Sequence, residues 1–518
     1  MSDGLGDPRA EAEGELALAL IALEDGDTRH AAAHAGNAIA SDPSLRDSYR
    51  ALDRLSAAHD DVLGWYPEEV RYTGAAAARA YLLARAGSPD AAFGLLCAVT
   101  ATAPGKPWAA GWLAPDGSPE PEFMARLEAR DAANALLRLA VALPDPVPAE
   151  WSAPLSPYAR AARWLVGAYP ERSDLLAPLS ALLRRFGDHD PGAREEAICW
   201  CQRAEDSGEP HATVMLGYAL RAAGRPGEMH EAWLRALKLD PDNVDLRVDI
   251  AEQHAVSGNL PEAISWLEEG LLLEPGHPKA FPSCCAMRFV SDDDVAHLVR
   301  LADWWRDNPW HDYSHDMLSV ACYQRPWLSV VPSGGFLAAG VPAAESVPSA
   351  DAEEALRAAA CDGYAPHPVA AYDTAVALSV LSLEDLLALL AYPPDVPRTP
   401  FWEREDPAYW PRVARVWACL GLLHHKTDEP WPSSVRRATL ADLTAGAAGQ
   451  AAEAAMNALV TAAWTDPQCR GDVAGLLGRR FLEEASADRP VPASAACLIL
   501  SCPAMPAEVT ALARELTR

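Results

Sequence analysis

The sequence predicts an all-α chain of stacked helical hairpins, and three observations predict it. Between Pro210 and Gly276 residue types recur at an interval of 34. Elsewhere apolar residues recur at helical spacing, and no run alternates apolar with polar residues as a strand would. Glycine and proline fall where helices must turn and stop. The chain has 518 residues, 50% of them hydrophobic and 22% charged, enough for about two to four folded units at ~150 residues each.

The repeat is read residue by residue. Leu216-Gly217 is followed 34 positions later by Ile250-Ala251, Gly224 by Gly258, Trp233 by Leu267 and Pro241 by Pro275. Each unit therefore reads as a first helix with a small residue on its packing face, a glycine turn, a second helix and a terminating proline. The small residue lets two antiparallel helices approach, glycine adopts the left-handed cap, and proline lacks the N–H that would continue the helix. One such hairpin cannot bury both its faces, so it must stack on its neighbours.

This pattern resembles the tetratricopeptide repeat. Residues 12–45 fit it with Ala19, Gly26, Ala31, Ala38 and Pro43, and residues 73–106 with Ala80, Gly87, Ala92 and Pro104. Residues 278–311 keep Cys285 and Pro309 but carry Asp292 at the turn-glycine position and Trp304 where a small residue is expected. Between 107 and 209 helices over 157–168, 173–186 and 193–204 continue with slipped spacing. The carboxy-terminal part is similar, by helix length and capping alone, to HEAT-type repeats. Asp406-Pro407 and Asp466-Pro467 read as helix starts. The first is followed by the stripe Trp410, Val413, Trp417 and Leu420, the second by Val473, Leu477 and Phe481, and Met456, Leu459 and Ala463 precede it. From Trp327 to Ala350 the helical period lapses into a Pro/Gly-rich stretch that reads as a boundary, and the segment from Pro393 to Pro400 cannot be helical and reads as an extended connector. The expected architecture is an α-solenoid. Its parts are amino-terminal hairpins over 1–205, a central array over 206–326, a connector with short helices over 327–405 and a HEAT-like domain over 406–518.

Charge narrows the function. Asp and Glu outnumber Lys and Arg by 73 to 43, a net charge of −30, and only Lys106, Lys238, Lys279 and Lys426 are lysines. Such a chain is not expected to bind a phosphate backbone unaided. Its apolar runs, such as Leu16 to Leu23, fall short of the ~20 residues of a membrane helix. Asp3 and Asp7 stand where an export signal would be basic. Eleven cysteines without C-x-x-C spacing read as buried reduced thiols, so a cytoplasmic place is expected. Alanine and arginine excess with scarce lysine points to a high-GC bacterial coding sequence.

Catalytic templates are absent: no G-x-S-x-G, S-x-x-K, phosphate-loop or dinucleotide fingerprint occurs. His311 and His315 stand four apart without the glutamate that zinc proteases place between them, and His230-Glu231 lacks the second histidine. Four His-Asp dipeptides, at His59, His189, His311 and His315, resemble the signature of all-α metal-dependent phosphohydrolases. The alternative function is accordingly a metal-dependent hydrolase, or an enzyme subunit, with a site between Trp304 and Asp316. The favoured expectation is a non-catalytic scaffold or adaptor with no cofactor and no metal, because the tetratricopeptide resemblance implies a groove for a peptide or partner protein. That resemblance lines the groove with His211, Val214, Tyr218 and Arg221 from one unit and Asp245, Val248, Asp249 and Glu252 from the next, and Trp305 and Trp310 stand at its end. Across residues 240–300 twelve acidic side chains face four basic ones, and Asp245, Asp249 and Glu252 share one helical stripe. The expected ligand is a basic segment with Tyr218 supplying a cation-π contact; the plainer alternative is a solvated acidic face. Val214, Tyr218, Val248 and Glu252 stand where the family's carboxylate-clamping members carry Lys and Asn, so a carboxylate clamp is not expected.

Overall fold

The computed structural model describes residues 7–67, 69–309, 311–323, 346–363, 365–446, 449–486 and 493–517. Among them every regular element is helical, 26 α-helices with short 3-10 turns. The chain divides into two compact units, Met1–Pro241 and Asp242–Arg518. This division falls inside the array expected over 206–326. The Pro/Gly-rich stretch expected as a connector from Trp327 lies mostly outside the described residues.

The first unit holds α1 (Pro8–Glu24), α2 (Thr28–Ser41), α3 (Arg46–Ala58), α4 (Thr73–Arg85), α5 (Pro89–Thr102), α6 (Pro121–Met124), α7 (Ala129–Ala142), α8 (Ala149–Ala168), α9 (Leu176–Leu183), α10 (Pro191–Asp206), α11 (Ala212–Ala222) and α12 (Pro226–Leu239). Three pairs, α1 with α2, α4 with α5 and α11 with α12, pack as the hairpins the spacing predicts. Their turns carry Gly26, Gly87 and Gly224 at φ +79, +84 and +69, the left-handed region in which an L side chain is strained. Gly217 explains the small residue on α11. A Cβ there would fall inside the Trp233 indole, which is fully buried on α12 and donates its Nε1–H to the Val214 carbonyl at 3.2 Å. Two expectations in the slipped region are corrected. The helix expected from Pro157 begins at Ala149 and runs through Pro154 and Pro157, and the one expected over 173–186 breaks into α9 between two 3-10 turns.

The second unit continues with α13 (Val244–Val256), α14 (Leu260–Leu273), α15 (Ala280–Asp292), α16 (Ala296–Asp307) and α17 (Asp312–Tyr323). Here α13 pairs with α14 and α15 with α16, while α13 packs on α15 and α15 on α17. Val244, Val248, Ala251, Ala263, Leu267 and Ala280 form their shared core. Ala251 and Leu267 occupy the repeat positions of Gly217 and Trp233: a larger residue on the first helix is matched by a smaller one on the second. Gly258 turns at φ +79 as predicted. In the next hairpin the left-handed residue is Asp293, at φ 60, one position beyond the Asp292 that the spacing marks.

Beyond these lie α18 (Ala350–Ala359), α19 (Pro368–Ala375), α20 (Leu383–Ala391), α21 (Trp410–Leu423), α22 (Val435–Ala445), α23 (Gln450–Thr465), α24 (Arg470–Ser486), α25 (Ala493–Ser501) and α26 (Ala507–Leu516). The stripe on α21 understates its burial. Trp410 and all residues from Arg412 to Leu423 are buried, as is nearly all of α23, and the two helices pack together inside one core that also takes in Phe289, Leu298 and Leu301 from α15 and α16. Asp406 caps as expected, accepting from the Ala408 N–H at 2.9 Å. Asp466 caps a turn instead, accepting from the Gln468 N–H at 2.8 Å, and α24 starts only at Arg470. Among the described residues no single helix is long and apolar enough to cross a membrane.

Candidate functional site

In the second unit the site is built on α13. Asn243 starts this helix by accepting the Leu246 N–H at 2.9 Å, which fixes the register of its faces. Val244, Leu246, Val248, Ile250 and Ala251 turn inward, and Asp245, Asp249 and Glu252 stay on the accessible side. Val248 is therefore corrected from a groove contact to a core residue, 2% exposed among Ala251 and Leu267.

The three acids have different neighbours. Asp245 faces the exposed Lys279 Nζ at 3.3 Å and the buried His277 Nε2 at 3.7 Å, just before α15. Glu252 accepts the Tyr313 hydroxyl from α17 at 3.2 Å, and that hydroxyl lies 2.6 Å from the Ser283 hydroxyl on α15. One polar chain thus links α13, α15 and α17. Burial pushes the Tyr313 phenol up to about 12; the Ser283 hydrogen bond opposes this, and the negative charges of Glu252 and Asp249 add to it. The arrangement concentrates negative charge beside a half-buried aromatic ring, which suits a cation with an apolar stem.

Sequence reasoning placed Asp249 and Glu252 here and missed Ser283 and Tyr313. A signal existed: Ser283 stands 34 positions after Asp249, and Tyr313 stands 34 after Lys279, itself 34 after Asp245.

The region from Trp304 to Asp316 resolves into packing and capping. Trp304 stacks on Phe281 with ring centroids 5.9 Å apart and meets the His311 edge at 5.4 Å. The neighbouring Trp305 points elsewhere, toward His315 at 5.4 Å and His367 at 5.5 Å. His311 Nδ1 accepts the Ser314 N–H at 3.3 Å and lies 2.9 Å from the Ser314 hydroxyl, so this histidine caps α17. Trp310 lies outside the described residues. Among the described residues no three His, Cys, Asp or Glu side chains are placed to hold a metal ion.

The first-unit residues form a different environment. His211 is exposed at φ 62 immediately before α11, and Val214 is half-buried. Tyr218 meets Trp233 edge-on at 5.4 Å, with Arg184 at 5.0 Å and Arg221 at 5.1 Å from its ring centroid. The cation-π contact expected from a partner is therefore made by the chain's own guanidinium groups. Arg184 is buried and held by Asp145 at 3.0 Å; burial pulls its pKa below the ordinary value, Asp145 opposes this, and Arg221 reinforces it.

No protein-family model and no curated protein matches the sequence. Among solved structures, the crystal structure of yeast Tom70 is similar at 13% identity, with 98% of this chain and 95% of that chain covered and a TM-score of 0.23. The crystal structure of the P58(IPK) TPR domain is similar at 16% identity, with 60% of this chain and 88% of that one covered and a TM-score of 0.16. The resemblance to tetratricopeptide hairpins lies in the chain's own packed helix pairs with left-handed turn glycines, in the 34-residue interval from Gly224 to Gly258, and in the matched pairs Gly217/Trp233 and Ala251/Leu267.

Proposed function

We propose that the chain is a scaffold that holds a partner polypeptide, and that in the second unit the face of α13, α15 and α17 receives a basic segment of it. The observation supporting this reading is the meeting of Glu252 and Asp249 with Tyr313 across those helices. An arginine or lysine side chain would lay its aliphatic stem on the ring and its charge against the carboxylates. Asp245 contributes less, because Lys279 already faces it in an exposed pair whose worth is small. First-helix faces of adjacent hairpins form a continuous surface, which is how stacked repeats present a long segment with few contacts per unit.

The test is titration of the full chain into a labelled arginine-containing peptide, with an equally long glutamate-containing control. The arginine peptide should bind more tightly, weaken as salt rises, and lose at least tenfold in affinity with Asp249→Lys and Glu252→Lys together, about 1.4 kcal/mol. Equal binding of both peptides, or an unchanged affinity in a double variant with wild-type helicity, would refute the reading.

A further inference from the structure

The first unit contains a cavity of about 620 Å³ between α2, the start of α4 and the turn joining α3 to α4. Arg29, Asn37, Trp65, Tyr66, Arg71 and Tyr72 supply its chemistry. Its walls are fixed by hydrogen bonds. Tyr66 donates its hydroxyl to the Ala32 carbonyl at 2.8 Å, and Arg79 Nη1 donates to the Leu63 and Tyr66 carbonyls, both at 2.8 Å. The Trp65 indole donates to Asp61 at 2.9 Å, which sets the ring plane.

Two guanidinium groups border this space. Arg29 lies over the Trp65 ring at 5.4 Å and Arg71 over the Tyr72 ring at 5.8 Å. A guanidinium over an aromatic ring still has its N–H donors to offer to an acceptor. Neither arginine has a carboxylate within ion-pair distance among the described residues, although acids outnumber bases by 30 in this chain and many of its other arginines are paired. Two exposed guanidinium groups beside aromatic rings, without a carboxylate partner among the described residues, match an oxyanion carried on a planar group. The volume is that of a small-molecule site, within the usual range of about 300–1,000 Å³.

We propose that this cavity binds a small phosphorylated molecule bearing a planar ring, of the nucleoside monophosphate kind. Arg29 and Arg71 hold the phosphate through their N–H edges, Asn37 offers an amide to a polar edge of the ring or sugar, and the aromatic wall covers the ring's face. The site is separate from the acidic face of α13, and neither proposal depends on the other.

Calorimetric titration of the full chain with the four nucleoside monophosphates, with a free nucleoside and with inorganic phosphate tests this. At least one monophosphate should bind, and more tightly than either the nucleoside or phosphate alone. Arg29→Gln with Arg71→Gln should weaken that binding at least tenfold while leaving the helical circular dichroism unchanged, and Trp65→Leu should weaken it without abolishing the response to phosphate. Failure of all four monophosphates to bind would overturn the proposal. So would binding that the arginine substitutions leave intact, because the ligand would then sit elsewhere.

Discussion

Replacing Gly217 by alanine probes the helix contact on which the first unit's repeat depends. The added Cβ falls inside the Trp233 indole, and that ring is fully buried on α12, so it has no solvent-exposed rotamer to retreat to without opening the hairpin. Overpacking costs about 1–3 kcal/mol. Displacing the indole from the Val214 carbonyl adds ~0.5–1.5 kcal/mol. The better helix propensity of alanine returns about 1 kcal/mol, for a net destabilisation on the order of 1–3 kcal/mol. Trp233→Leu alone leaves a cavity and costs roughly 2–4 kcal/mol. Together the two substitutions reproduce the pairing that Ala251 and Leu267 already make one repeat later. The double variant should therefore be more stable than the sum of the singles by about 1–2 kcal/mol. Amide hydrogen exchange in α11 and α12 measures this as a local opening free energy, which suits a two-unit chain better than a single global value. Additivity within ~0.5 kcal/mol, or a neutral Gly217→Ala, would refute the packing argument.

Three further outcomes are expected. Gly258→Ala should destabilise the α13–α14 hairpin by about 1–2 kcal/mol, since its φ is +79 with open space around it, whereas Asp293→Gly at φ 60 should stabilise its own turn by ~0.5–1 kcal/mol; exchange protection of the flanking helices reads both. Burial, reinforced by His315, pulls the pKa of His367 from 6.5 to about 3, so the unfolded chain takes up a proton that the folded one refuses as pH falls below 6.5. The second unit should lose ~1.4 kcal/mol per pH unit in that window, about 2 kcal/mol by pH 5; urea midpoints should show the slope flattened in His367→Asn, which retains a side chain able to cap α19. Finally, Cys199 is exposed while nine other thiols are buried, so a soluble thiol reagent should label Cys199 rapidly in the native state and the buried set only on unfolding, as peptide mapping will show.

Much of this architecture was legible because tetratricopeptide-like spacing is a strict consequence of packing. Gly26, Gly87, Gly224 and Gly258 mark turns that only a left-handed residue closes, and the structure places each at positive φ. What escaped the sequence was burial on more than one side. The stripe of four residues on α21 reads as one-faced, yet α20, α22 and α23 all pack on this helix, and its small alanines and glycine go inward as readily as its tryptophans. Prolines misled as well: Pro154 and Pro157 lie inside α8 although proline normally ends a helix. For the candidate site, Asp249 and Glu252 could be read from helical spacing, because one helix holds them both. Tyr313 is marked only by its 34-residue interval from Lys279, and it arrives from α17 after a hairpin whose turn residue and small residue had both diverged. Tyr218 misled for a related reason: Arg184, which lies against its ring, comes from a segment where the period had slipped.

The most direct test of the acidic-face proposal is where an arginine-containing peptide protects the full chain from hydrogen exchange. Protection should appear on the accessible turns of α13 and on α17 around Tyr313, diminish with Glu252→Lys, and leave α14 and α16 unchanged. Protection confined to α14 and α16, or spread evenly over the second unit, would contradict the proposed face.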